Sequence, residues 1–204
     1  MEPLVWYQIV APAIVCLALI VVALFTRRPR LQFAALGLVA MVGYGMLQDQ
    51  VSARLCPEYF TVFHPPIPGL TDPTLLGIAW GFLGAWWGGV LLGYVAGLVA
   101  TLGSRPPLAS RELVRPLMVL LVVVSAVVLL TGINVWRHAE LFGVSLDPAL
   151  TKLLTPERHR PLLIVACYHF AAYASAVIGG VVLCLWVRVE RVRRTTVKAH
   201  TPVG

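Results

Sequence analysis

Charge is scarce in this chain. Of 204 residues only 12% are Asp, Glu, Lys or Arg, while 59% are hydrophobic, a balance outside that of a soluble globular domain. With a mean hydropathy of +0.84, most of the chain needs lipid as its solvent. Acid is the scarcer sign, with 9 Asp and Glu against 16 Lys and Arg and a formal charge of +7. The basic residues stand at the ends of apolar runs, where they set orientation and meet anionic headgroups, so nucleic acid is not an expected partner.

Cysteine is sparse as well. Cys16, Cys56, Cys167 and Cys184 show no CxxC or other paired spacing, so neither a disulfide framework nor a structural zinc site is expected. A Walker loop and a dinucleotide glycine signature are both missing. The opening MEPLVWYQIVAP carries an acid where a signal peptide has a basic n-region, and no small-residue cleavage motif follows. The first apolar segment is therefore expected to be retained.

What is present is a series of long apolar runs. Spanning hydrocarbon takes about 20 mostly apolar residues, and five stretches qualify, at about 5–26, 31–48, 74–102, 116–136 and 161–187. The second is the shortest and contains Gly37, Gly43 and Gly45; the third and fifth are long enough to tilt. Arg27, Arg28, Arg30, Arg105, Arg111, Arg115, Arg188, Arg191, Arg193, Arg194 and Lys198 gather at one set of ends. The other set holds Arg54, Arg137, Lys152, Arg158 and Arg160. The positive-inside rule makes the first set cytoplasmic. The expected fold is an all-α polytopic bundle of five transmembrane helices with the N-terminus outside, ending in a basic cytoplasmic tail over 188–204.

Segment three carries Gly81, Ala85, Gly89, Gly93 and Gly97 at every fourth position, with Gly77 extending the row. Such a ridge lets neighbouring helices approach closely. Trp80 and Trp87 stand one heptad apart, with Trp86 beside them, as lipid-facing or gap-filling residues or as a surface on which a ligand stacks. The loop SRPPLASRELVRP has prolines that stop one helix and start the next, and its basic residues read as topology anchors. The second outer connection alternates Leu141, Leu146, Leu150 and Leu153 in a partly helical pattern, expected to lie on the membrane surface or act as a lid.

Polar side chains inside the spans collect at the outer ends. Tyr44 and Gln48 stand one turn apart, with Asp49 at the exit of segment two. Thr131, Asn134 and His138 share a face of segment four by spacing. His169 lies about 12 Å along segment five from Pro161, with Tyr173 one turn further. The inner halves are aliphatic. Polar groups in lipid normally face the bundle interior, so this distribution predicts an outward-facing pocket rather than a pore, which needs polar lining throughout.

The densest chemistry runs over 44–64, YGMLQDQVSARLCPEYFTVFH. His64, His138 and His169 are the candidate metal ligands, for a transition metal or haem iron, although their spacing matches no standard motif. Asp49 and Glu58 are the candidate acid–base residues. Arg54, Tyr44, Gln48, Asn134 and Tyr173 are the candidate substrate contacts. Arg54 and Glu58 also stand four apart, which pairs them with each other if the loop is helical there. Cys56 reads as a packed thiol or a nucleophile. Glu140, Glu157 and His159 read as surface residues.

The stretch QDQVSARLCPEYFTVFHPP, followed by a tryptophan- and glycine-rich span, resembles a pattern of bacterial polytopic inner-membrane proteins of uncharacterised activity. The resemblance covers mainly 44–93, together with the neighbourhood of Tyr168, His169 and Tyr173. It implies a bacterial inner-membrane setting and brings no activity. Three functions follow from the residues: a pocket binding a metal ion or a lipid- or quinone-like headgroup, with or without catalysis; an accessory subunit docking on partner subunits of a larger complex; and a small transporter.

Overall fold

The computed structural model describes residues 2–200 except 142 and 144, with side chains to residue 196. The end of the expected tail, residues 201–204, and the side chain of Lys198 lie outside the described residues. Among those described there is no strand. The helices are α1 (Trp6–Phe25), α2 (Pro29–Leu55), α3 (Glu58–Thr61), α4 (Pro73–Thr101), α5 (Val114–His138), α6 (Pro148–Thr151) and α7 (Pro156–His200), and a 3-10 turn at Ser110–Leu113 leads into α5. Five of the described helical stretches are long and apolar enough to cross a membrane.

Glycine organises the tightest contact, between α2 and α4. A Cβ on Gly81 would lie 2.5 Å from the Met46 backbone, and one on Gly45 would lie 2.6 Å from the Gly81 carbonyl. Gly37 meets Gly89 and Gly93 in the same way. The ridge on segment three is therefore half of a reciprocal seam, and backbone approaches backbone along most of both helices. α5 packs on α7, and α4 also touches α7, so the bundle is two helix pairs with α1 laid against α2.

Two segments outrun their expected bounds. α2 continues to Leu55 instead of stopping at 48, and α7 begins at Pro156. Gly37 and Gly45 do not weaken it, because α4 fills the space they leave. The polar run after Gln48 stays helical because its side chains find partners: the Gln50 amide donates to the Thr74 carbonyl at 3.2 Å, and Asp49 and Ser52 are buried. By contrast, the leucine pattern of the second outer connection yields only the single turn of α6, with Leu141 and Leu153 exposed.

Arg191 overturns the reading of the basic ends as anchors alone. It is buried and donates to the carbonyls of Val99, Arg105 and Pro106. Those acceptors include an end carbonyl of α4, which has no partner within its helix. Arg194 pairs with Glu112 and Glu190 nearby. The far ends of α4, α5 and α7 are thus fastened together, leaving the opposite end, around Asp49, as the place where polar groups meet space.

Candidate functional site

The last two turns of α2 place Asp49 and Ser52 on one face, three residues apart. From α7, Tyr168 and His169 reach the same point. The Tyr168 hydroxyl lies 2.7 Å from Ser52 Oγ, Ser52 Oγ lies 3.0 Å from Asp49 Oδ1, and His169 Nε2 lies 2.9 Å from Ser52 Oγ and 3.2 Å from Asp49 Oδ1. All four residues are buried. A carboxylate oxygen only accepts, so Nε2 of His169 carries the proton; Tyr168 donates to Ser52, and Ser52 donates to Asp49. His169 also lines a cavity.

This constellation is not a nucleophile with its base and orienter. Ser52 and Asp49 share one imidazole nitrogen, whereas a triad needs them on opposite nitrogens. Its net effect is to fix the orientation of the His169 ring through Nε2.

A wall of rings covers the network. The loop after α2 brings Tyr59 to 4.7 Å from both His169 and His64, and His64 packs 4.6 Å from Trp80. His64 Nδ1 is 2.6 Å from the Tyr59 carbonyl, so Nδ1 holds its proton. Burial keeps the His64 imidazole below its ordinary pKa, against the raising effect of that hydrogen bond. The loop is pinned by Arg158 of α7, whose guanidinium holds Glu58 in two bonds of 2.8 and 2.6 Å. The Arg158 hydrogen bonds hold the Glu58 carboxyl below the usual carboxylate range.

Beside this wall lies a cavity of about 430 Å³ between the two helix pairs. At its polar end stand Tyr44, Gln48, Asp49, Trp80, His169 and Tyr173; the rest of its lining is apolar and reaches Phe33, Leu113 and Leu183. From Phe33 to Asp49 this is about 24 Å of helix at 1.5 Å per residue. Trp87, Leu91, Tyr173 and Val177 line it and are exposed at the surface of the bundle, so it opens sideways. Three side chains at the polar end hold buried atoms with no partner among the described residues: Tyr44 Oη, Gln48 Oε1 and Trp80 Nε1.

The candidates from the sequence separate into those the fold collects and those it does not. Tyr44, Gln48, Asp49, His169 and Tyr173 line one cavity, with His64 behind Trp80. Asn134 and Thr131 instead bond back to the Leu130 and Val127 carbonyls of their own helix. Val124, Val128 and Val135 take the face of α5 that packs against the neighbouring helix, which turns Asn134 out. His138 lies on a separate recess with Arg137, His159 and Arg160. The three histidines are therefore not one ligand set, and among the described residues no group of three His, Cys, Asp or Glu is placed to hold a metal ion. Tyr59 packs 4.7 Å from both His64 and His169.

Arg54 and Glu58 do not pair. The helix breaks at Cys56 and Pro57, so Arg54 turns to Gln50 and Thr74 while Glu58 meets Arg158. Cys56 is fully buried, and burial pushes its thiol up to about 11, the behaviour of a packed thiol. Of the site residues that sequence reasoning passed over, Ser52 had a usable signal in its spacing of three from Asp49. Arg158 had none, because its partner is 100 residues away. Compared with family models, curated proteins and solved structures, the chain matches none of them.

Proposed function

We propose that this chain is an integral membrane protein that holds one amphiphilic molecule, a lipid or quinone-like compound, with its head among Tyr44, Gln48, Trp80 and His169. The tail lies in the apolar cleft between the helix pairs. By the positive-inside rule the Asp49 end faces outward from a bacterial inner membrane, and the N-terminus lies on that side. The observation that carries this reading is the three buried polar atoms without partners at one end of an otherwise apolar cavity. An orphaned buried donor or acceptor costs roughly 1–3 kcal/mol, and a bound head supplying partners recovers it. Cavity size and the mix of many apolar walls with few polar groups are those of a small-molecule site, and the sideways opening lets the ligand enter from the bilayer.

Gly88 provides the test. It lines the cavity, and the nearest atom to a Cβ there is Met41 Cε at 3.9 Å, so a larger side chain enters open space and leaves the helix seam untouched. Native mass spectrometry of protein released from mild detergent should show a bound amphiphile near one per chain, absent from Gly88→Leu. Equal occupancy in both, in a variant that melts like wild type, removes the cleft as the binding place.

A further inference from the structure

We infer that the head held at this site is an uncharged hydroxyaryl ring of the quinol type, an assignment that rests on the amphiphile reading above. Among the described residues no Lys or Arg lines the cavity. The cations closest in sequence to the site are engaged elsewhere, Arg54 with Gln50 and Thr74, Arg158 with Glu58 and the Leu55 carbonyl, and Arg160 with the Trp136 carbonyl. A phosphate or carboxylate head would therefore enter an aromatic and apolar slot beside Asp49 with no counter-charge, which is strongly disfavoured at low dielectric.

Hydrogen-bonding capacity narrows the choice further. Trp80 Nε1 only donates, so the head must present an acceptor; Gln48 Oε1 accepts, so it must also present a donor. Tyr44 Oη serves in either sense. A phenolic hydroxyl meets both demands, whereas an oxidised quinone offers acceptors alone and leaves Gln48 Oε1 without a donor. The flat walls of Trp80, Tyr44, Tyr173 and the His169 imidazole suit a ring.

The test compares three single-chain probes on the purified protein in mild detergent, following the melting temperature against concentration: a decyl benzoquinol under reducing conditions, the matched decyl benzoquinone, and decyl phosphate. A ligand that binds the folded form raises the melting temperature according to its affinity. The expected result is stabilisation by the quinol at concentrations about tenfold lower than for the quinone, as befits one or two net hydrogen bonds, with no effect of the phosphate. In Gln48→Leu that preference should shrink to about twofold. Equal effects of quinol and quinone overturn the donor–acceptor assignment. Stabilisation by the phosphate alone overturns the uncharged head while leaving an amphiphile in the cleft. No effect of any probe, on protein whose Gly88→Leu variant also carries no less lipid, overturns both readings.

Discussion

Asp49 and His169 stand 3.2 Å apart, both buried, so each sets the environment of the other. Removing one partner leaves the other's buried hydrogen-bonding group unsatisfied, a change that costs about 1–3 kcal/mol. Asp49→Leu and His169→Leu should each lower the detergent melting temperature markedly, while the double variant should lose less than the sum of the two; additive losses would mean that the pair is not coupled. His64 gives a pH signature. Its fold favours the neutral ring, so below the ordinary histidine pKa of about 6.5 the unfolded chain binds more protons than the folded one. Stability is then full above that pH and falls as pH drops through the lowered folded value. His64→Gln should flatten the melting profile between about pH 7 and 5; an unchanged slope would assign it to another group. Glu58 acts with the same sign in the more acidic carboxylate window. At this scale the sequence made Asp49, Gln48, Tyr44, His169 and Tyr173 legible, because polar groups in an apolar span advertise themselves. Ser52 was hidden by a helix boundary drawn too early, and Asn134 misled because a side chain that bonds its own helix backbone has the same spacing as one that faces a pocket.

Helices α2 and α4 show how the same residue type means different things two positions apart. Gly45 faces Gly81 at backbone contact, whereas a Cβ on Gly43 would meet nothing within 4 Å. Gly45→Val should therefore separate the helices and cost several kcal/mol through lost packing along the seam, in the range of severe core overpacking. Gly43→Ala should be neutral or stabilise by about 0.5–1 kcal/mol, since alanine restricts the unfolded chain and favours helix. Thermal unfolding of the two variants side by side checks this; an equal loss in both would mean that glycine in α2 serves flexibility and not contact. The four-residue row in α4 was readable from spacing alone. Its mate in α2 was not, because Gly37 and Gly45 are eight residues apart with Gly43 between them, and only the facing helix distinguishes the seam glycines from the bystander. Arg191 escaped for a similar reason: its acceptors are carbonyls, which no sequence pattern marks.

For the whole molecule, the open question is which way it lies in the bilayer, and two exposed loop residues decide it. Thr71 precedes α4 at the Asp49 end, and Ser104 follows α4 at the Arg191 end; both are exposed. The Arg191 end collects most of the Lys and Arg, and although Arg191, Arg193 and Arg194 are bonded within the fold, Arg27, Arg28, Arg105, Arg111, Arg115 and Arg188 remain to bias orientation. At the Asp49 end Arg158 is neutralised by Glu58 and Arg54 is tied to Thr74. A membrane-impermeant maleimide applied to intact cells should therefore label Thr71→Cys at once and Ser104→Cys only after permeabilisation. The native thiols leave a low background, since Cys16 and Cys56 are buried and Cys167 and Cys184 lie half-buried within α7. The reverse pattern would place the ring wall of Tyr59, His64 and Trp80 on the cytoplasmic side, and a ligand entering sideways would then present its head to that compartment.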